Sequence, residues 1–159
     1  MMNYFEVKVK YEKTMENGMQ KTVSEIYLIN ALSFTEAEAI AIEEMSMLCS
    51  AEFQIAAIKK VNYAEIIKSE SDNDGTWFKC KLTFITMDER TEKEIKTHVS
   101  YLVEGNNLES AKVRMAKAMS STMIDYQFSK IEETPIMDIL YHKVGNSSND
   151  VLANTQSNV

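Results

Sequence analysis

The chain has 159 residues, with 17 basic and 24 acidic side chains, so its formal net charge is -7. Hydrophobic residues make up 45%, ample for a packed core, while four glycines and one proline are too few for a linker or a collagen-like rod. An acidic surface repels phosphate backbones at long range, which argues against sequence-independent duplex binding.

Residues 1–30 hold no basic stretch followed by an apolar run, and no segment approaches the ~18 apolar residues that cross a bilayer. A cytoplasmic protein is the expectation. Cys49 and Cys80 lack zinc-like spacing and read as buried free thiols of a reducing compartment.

The first predicted strand alternates cleanly. Phe5, Val7, Val9 and Tyr11 point one way, and Glu6, Lys8, Lys10 and Glu12 the other. A period of two with one polar face marks an antiparallel strand with one side in water. A turn near Glu16-Asn17-Gly18 leads to a second strand over about Thr22–Asn30. Ser33-Phe34-Thr35-Glu36 reads as a capping box. It opens a helix over Phe34–Cys49, whose apolar stripe is Ala37, Ile40, Ala41, Met45 and Leu48. An extended stretch, Phe53–Ile67, follows and is expected to break near Asn62.

The same order then recurs. Phe78, Cys80, Leu82 and Phe84 alternate with Lys79, Lys81 and Thr83, and a turn near Asp88-Glu89-Arg90 leads to a strand over Lys96–Glu104. Asn107 caps a helix over Leu108–Met123, with Leu108, Ala111, Met115, Ala118, Met119 and Thr122 as its stripe. Tyr126–His142 is extended and should break near Pro135.

These matches, which keep their order and nearly their spacing, predict an α+β fold of two tandem β-β-α-β(-β) repeats. The repeats span 3–67 and 76–140 and are joined by a polar linker, 69–75. A unit of ~65 residues buries only a marginal core. A single domain over 1–142 is therefore expected, with one twisted antiparallel sheet, two helices on one face and a pseudo-twofold axis. Residues 145–159 are rich in Asn and Ser and read as a disordered polar tail.

Chemistry is sparse. His98 and His142 have no triad or metal-ligand pattern around them. Asp72-Asn73-Asp74-Gly75 begins like a calcium loop, but Thr83 stands where the bidentate glutamate belongs, so an inter-repeat turn is the better reading. Glu36, Glu38, Glu43 and Glu44 read as a solvated helix face. No catalytic residue, cofactor or metal is expected. Eleven methionines read mainly as core packing, with an adaptable binding surface as the alternative.

One constellation stands out. Lys8 and Lys10 with Tyr4, and Lys79 and Lys81 with Trp77, put cations and aromatics on outward strand faces. Such a face can track and stack a single nucleic-acid strand. The leading expectation is instead a small non-enzymatic module that binds a protein partner or forms a homo-oligomer.

Tyr4-Phe5-Glu6-Val7-Lys8-Val9-Lys10-Tyr11 and Ala31-Leu32-Ser33-Phe34-Thr35-Glu36-Ala37-Glu38-Ala39 resemble the family known as domain of unknown function 4494. The resemblance covers about residues 1–142. It implies a setting in gut anaerobic bacteria and their phages or mobile elements, and it carries no activity over to any residue. The strand-and-helix pattern is also similar, at the level of fold alone, to PUR-type nucleic-acid-binding repeats, whose element order differs.

Overall fold

A computed structural model describes residues 3–70 and 75–141. The expected polar tail, His142 and Asp72–Asp74 lie outside the described residues. The elements are β1 (Asn3–Thr14), β2 (Gln20–Ala31), α1 (Phe34–Leu48), β3 (Phe53–Val61) and β4 (Ile66–Ile67). They continue with β5 (Thr76–Met87), β6 (Glu94–Gly105), α2 (Leu108–Ala118), β7 (Asp125–Glu133) and β8 (Ile136–Leu140). The fold is α+β, and both halves read strand, strand, helix, strand, strand.

The single expected sheet is corrected to two four-stranded sheets, ordered β3-β1-β2-β8 and β4-β6-β5-β7. The described chain divides into two compact units, one of residues 3–61 with 138–141 and the other of residues 62–70 with 75–137. The physical reason is that the last strand of each half leaves its own hairpin. β4 pairs in parallel with β6, Ile66 opposite Leu102, and β8 lies beside β2. Alternation assigns a side chain to a face of a strand and says nothing about which strand lies beside it.

In the first unit, β1 and β2 form a ladder from Asn3 opposite Ala31 to Thr14 opposite Gln20. Met15 accepts from the Gly18 amide at 3.0 Å, and Gly18 closes the turn with φ +84°, a conformation that glycine adopts without penalty. β3 joins the other edge of β1, with a bulge at Lys8/Val9. α1 covers one face. Phe5, Val7, Val9, Tyr27 and Ile29 pack there with Ala37, Ile40, Ala41, Met45 and Leu140 of β8. Leu48, expected on the stripe, is exposed.

In the second unit, β5 and β6 pair from Thr76 opposite Gly105 to Met87 opposite Glu94, and β7 joins β5 with a bulge at Lys81/Leu82. Phe78, Cys80, Leu82, Tyr101 and Val103 pack with Ala111 and Met115, and Ile67 of β4 packs against them. The two helices therefore cover separate sheets, which corrects the expectation of two helices on one.

Capping sets the helix starts. Ser33 accepts from the Glu36 amide at 3.1 Å. The reciprocal box closes on α2, where Asn107 Oδ1 accepts from the Ser110 amide and Ser110 Oγ accepts from the Asn107 amide. α2 stops at Ala118, five residues before its expected end at Met123. Ser120 Oγ donates to the Lys117 carbonyl at 2.7 Å, and such local bonds compete with the helical ladder. Leu108 and Ala118, both expected on the stripe, are exposed.

Candidate functional site

The residues expected to face a nucleic acid divide between the two units. Tyr4, Lys8 and Lys10 stand on the outward face of β1. Their neighbours across the ladders are Asn30 and Val61, Ile26 and Ala57, and Ser24 and Gln54. Trp77, Lys79 and Lys81 stand on the corresponding face of β5. Lys79 has Glu132 on one side and Leu102 on the other, and Lys81 has Lys130 and Ser100. Lys130 itself pairs with Glu132 at 3.2 Å. Cations on this face are thus diluted by carboxylates.

Trp77 is 3% exposed, which corrects its expected role as an open stacking platform. Its carbonyl accepts from both the amide and the hydroxyl of Thr134, each at 2.8 Å. A base reaches an aromatic ring only where the ring meets solvent.

Two groupings were not legible as sites in the sequence. The first is a hydroxyl chain across three strands. Thr83 on β5 is buried, and its hydroxyl lies 2.9 Å from His98 Nδ1 on β6 and also bonds Ser129 Oγ on β7. This satisfies a buried hydroxyl and fastens the three strands together. Among the described residues, no three histidine, cysteine or acidic side chains come close enough to hold a metal ion.

The second is a cavity of about 340 Å³ in the first unit, where the β1–β2 ladder runs on beyond the end of α1. Tyr11, Glu25, Tyr27, Leu48 and Cys49 line it, with Glu12 and Lys13. Glu25 lies between two phenols. The Tyr27 hydroxyl donates to Glu25 Oε2 at 3.5 Å, and the Tyr11 phenol lines the same cavity.

The neighbouring Glu25 carboxylate, which favours the protonated phenol, with burial behind it, pushes Tyr11 up to about 12. For Tyr27, burial leads and the Glu25 charge follows, again up to about 12. Cys49 is half-buried, and its thiol donates to the Ala51 carbonyl at 3.4 Å.

The second unit builds the equivalent place differently. Phe84 and Val99 occupy the register positions of Tyr11 and Glu25, and both pack onto the apolar cluster. Glu25 lies opposite Val9 on the inward side of β2, so alternation along the strand gives its side but not the cavity beside it. A larger cleft of about 800 Å³ in the second unit runs between α2 and residues 67–70. Lys68, Arg114 and Lys117 line it together with Glu70 and Glu109.

No helix among the described residues is long and apolar enough to cross a membrane. No curated protein and no solved structure matches the chain. A family profile does match, over residues 3–142, and its description is "Domain of unknown function". The chain belongs to the domain of unknown function 4494 family.

Proposed function

We propose that this protein is a non-enzymatic binding module that engages a protein partner, a second copy of itself included. It acts in the cytoplasm, and the setting in phages or mobile elements comes only with the family resemblance of its opening strand and first helix cap. Its two halves are read as copies of one unit. Their equal element order and their bulges at matching register support that reading.

The observation that carries the functional reading is where the methionines sit. Met45 and Met115 fill the two cores, but Met15, Met19, Met47, Met87, Met123 and Met137 are between 42% and 97% exposed. A flexible, polarisable thioether left in water suits adaptable contact with another protein surface. The competing reading, single-strand binding through the outward sheet face, has lost its tryptophan platform.

Photo-methionine incorporated throughout the chain tests the proposal. Irradiation is expected to give intermolecular polypeptide adducts at Met19, Met47 or Met123. Adducts confined to Met45 and Met115 would overturn it. A labelled dT20 oligonucleotide is expected to give no saturable change in anisotropy at micromolar protein. Tight, salt-sensitive binding would instead favour the nucleic-acid reading.

A further inference from the structure

We infer that the cavity at the end of α1 is a receptor for a cationic side chain, a guanidinium or ammonium group carried on a basic segment of the partner protein. The inference rests on the protein-binding reading and gives it a location and a chemistry.

Four features converge on it. Glu25 carries no ion pair among the described residues. A carboxylate offers about four acceptor sites. The Tyr27 hydroxyl takes one, which leaves acceptor sites for an incoming N–H donor. The phenol rings flank the same space, and aromatic faces attract cations.

Leu48 and Cys49 form the C-terminal end of α1, which carries partial negative charge, and no basic residue stands in its last turn to compensate. Finally, the volume of about 340 Å³ suits one long side chain and not a folded surface. Lys13 lines the cavity and Glu12 stands beside it, so their charges offset one another.

The second unit provides an internal contrast. Val99 and Phe84 close the equivalent position with apolar packing. The polar set in the first unit is therefore not required to build such a sheet. An arginine is favoured over a lysine, because a planar fork can bond the carboxylate edge and stack on a phenol at once.

Cys49 supplies a reporter inside the cavity, since the other thiol, Cys80, is buried. The full chain is treated with iodoacetamide and the modification rate at Cys49 is read by mass spectrometry. The probes are an acetylated Gly-Ser octapeptide bearing two arginines, its two-lysine and two-glutamate counterparts, and N-acetyl-arginine amide. The arginine peptide is expected to slow Cys49 modification saturably, the lysine peptide less, and the glutamate peptide not at all.

Glu25→Gln should weaken the arginine peptide about tenfold or more, the scale of one charge-assisted hydrogen bond. Glu94→Gln removes an equal charge from the other unit and should leave the peptide's affinity unchanged. Far-UV circular dichroism of each variant checks that it is folded. Equal protection in Glu25→Gln and the parent overturns the inference, as does an arginine peptide that leaves Cys49 unprotected.

A basic peptide that binds the chain and leaves Cys49 unprotected sinks the cavity assignment but keeps the protein-partner reading. Free N-acetyl-arginine amide that protects as tightly as the peptide keeps the cavity and removes support from that reading.

Discussion

Single residues decide how much the first unit tolerates. Ala41 is 1% exposed, at the centre of the face that α1 lays on its sheet. Ala41→Asp would bury an unpaired carboxylate there, at a cost of several kcal/mol, of the order of half a typical domain's stability. The variant is expected to be unfolded or nearly so in a thermal melt. A melt like the parent's would mean that the helix face had been misassigned.

The phenols and the buried thiol set the alkaline limit. Tyr11 and Tyr27 hold their protons to about 12 in the fold against 10.0 ordinarily, and burial pushes the Cys80 thiol from 9.0 up to about 11. Between those values the unfolded chain has already lost protons that the folded chain keeps. The unfolded state then binds fewer protons, so stability must fall as pH rises. The contribution of these three groups is level from neutral pH to about pH 9, and stability is expected to fall from there to pH 12. Denaturant midpoints across that range check this, and Tyr11→Phe should flatten the decline above pH 10.

Elements obey local rules, and those are where the sequence was most legible. Both hairpins, both caps and the breaks near Asn62 and Pro135 could be placed because each is set by neighbouring residues. Gly105 shows what local rules leave out. A Cβ there would lie 2.9 Å from Ser110 Oγ and 3.1 Å from the Ala111 amide, so α2 comes closer to its sheet than a side chain allows. Ala31 holds the matching position in the first half and is fully buried.

Gly105→Ala should displace the capping serine and cost about 1–2 kcal/mol, read as a lower melting temperature. Asn107→Ala, which breaks the same box with no clash, should cost about 1 kcal/mol. Equal losses would mean that the cap alone accounts for the effect of the glycine.

The edge strands also follow a local logic. β3 carries Lys59 and Lys60 and β7 carries Lys130, Glu132 and Glu133, each with a bulge, devices that oppose edge-to-edge pairing. These two edges are therefore poor places for a second copy to extend a sheet. Trp77 was the clearest failure of reading from alternation. A period of two placed it on the outward face of β5, but the period cannot say whether that face is open. Glu25 failed in the opposite sense. Its inward parity follows from alternation along β2, but alternation alone does not show that a cavity lies beside it.

At the scale of the whole chain, strand exchange makes the two units unequal. The second unit is a continuous segment, residues 62–137, whereas the first needs β8, from the far end of the described chain, to complete its sheet. Neither local propensity nor hydrophobic period encodes such pairing, which is why one sheet was expected and two were found. The consequence is directional.

If the second unit unfolds, β8 can stay on β2 only by closing an open loop of that whole segment, which costs about 4 kcal/mol in chain entropy. If the first unit unfolds, the second keeps every strand that it uses. Met115→Asp places a charge in the second core, and Leu140→Asp places one where β8 meets the first. Hydrogen exchange read by segment should show Met115→Asp opening both units. Leu140→Asp should open residues 3–61 and leave protection across β5 and β6 at the parent's level. Loss of protection in β5 and β6 in Leu140→Asp would show that the second unit depends on the first, and the order of dependence argued from the chain path would be wrong.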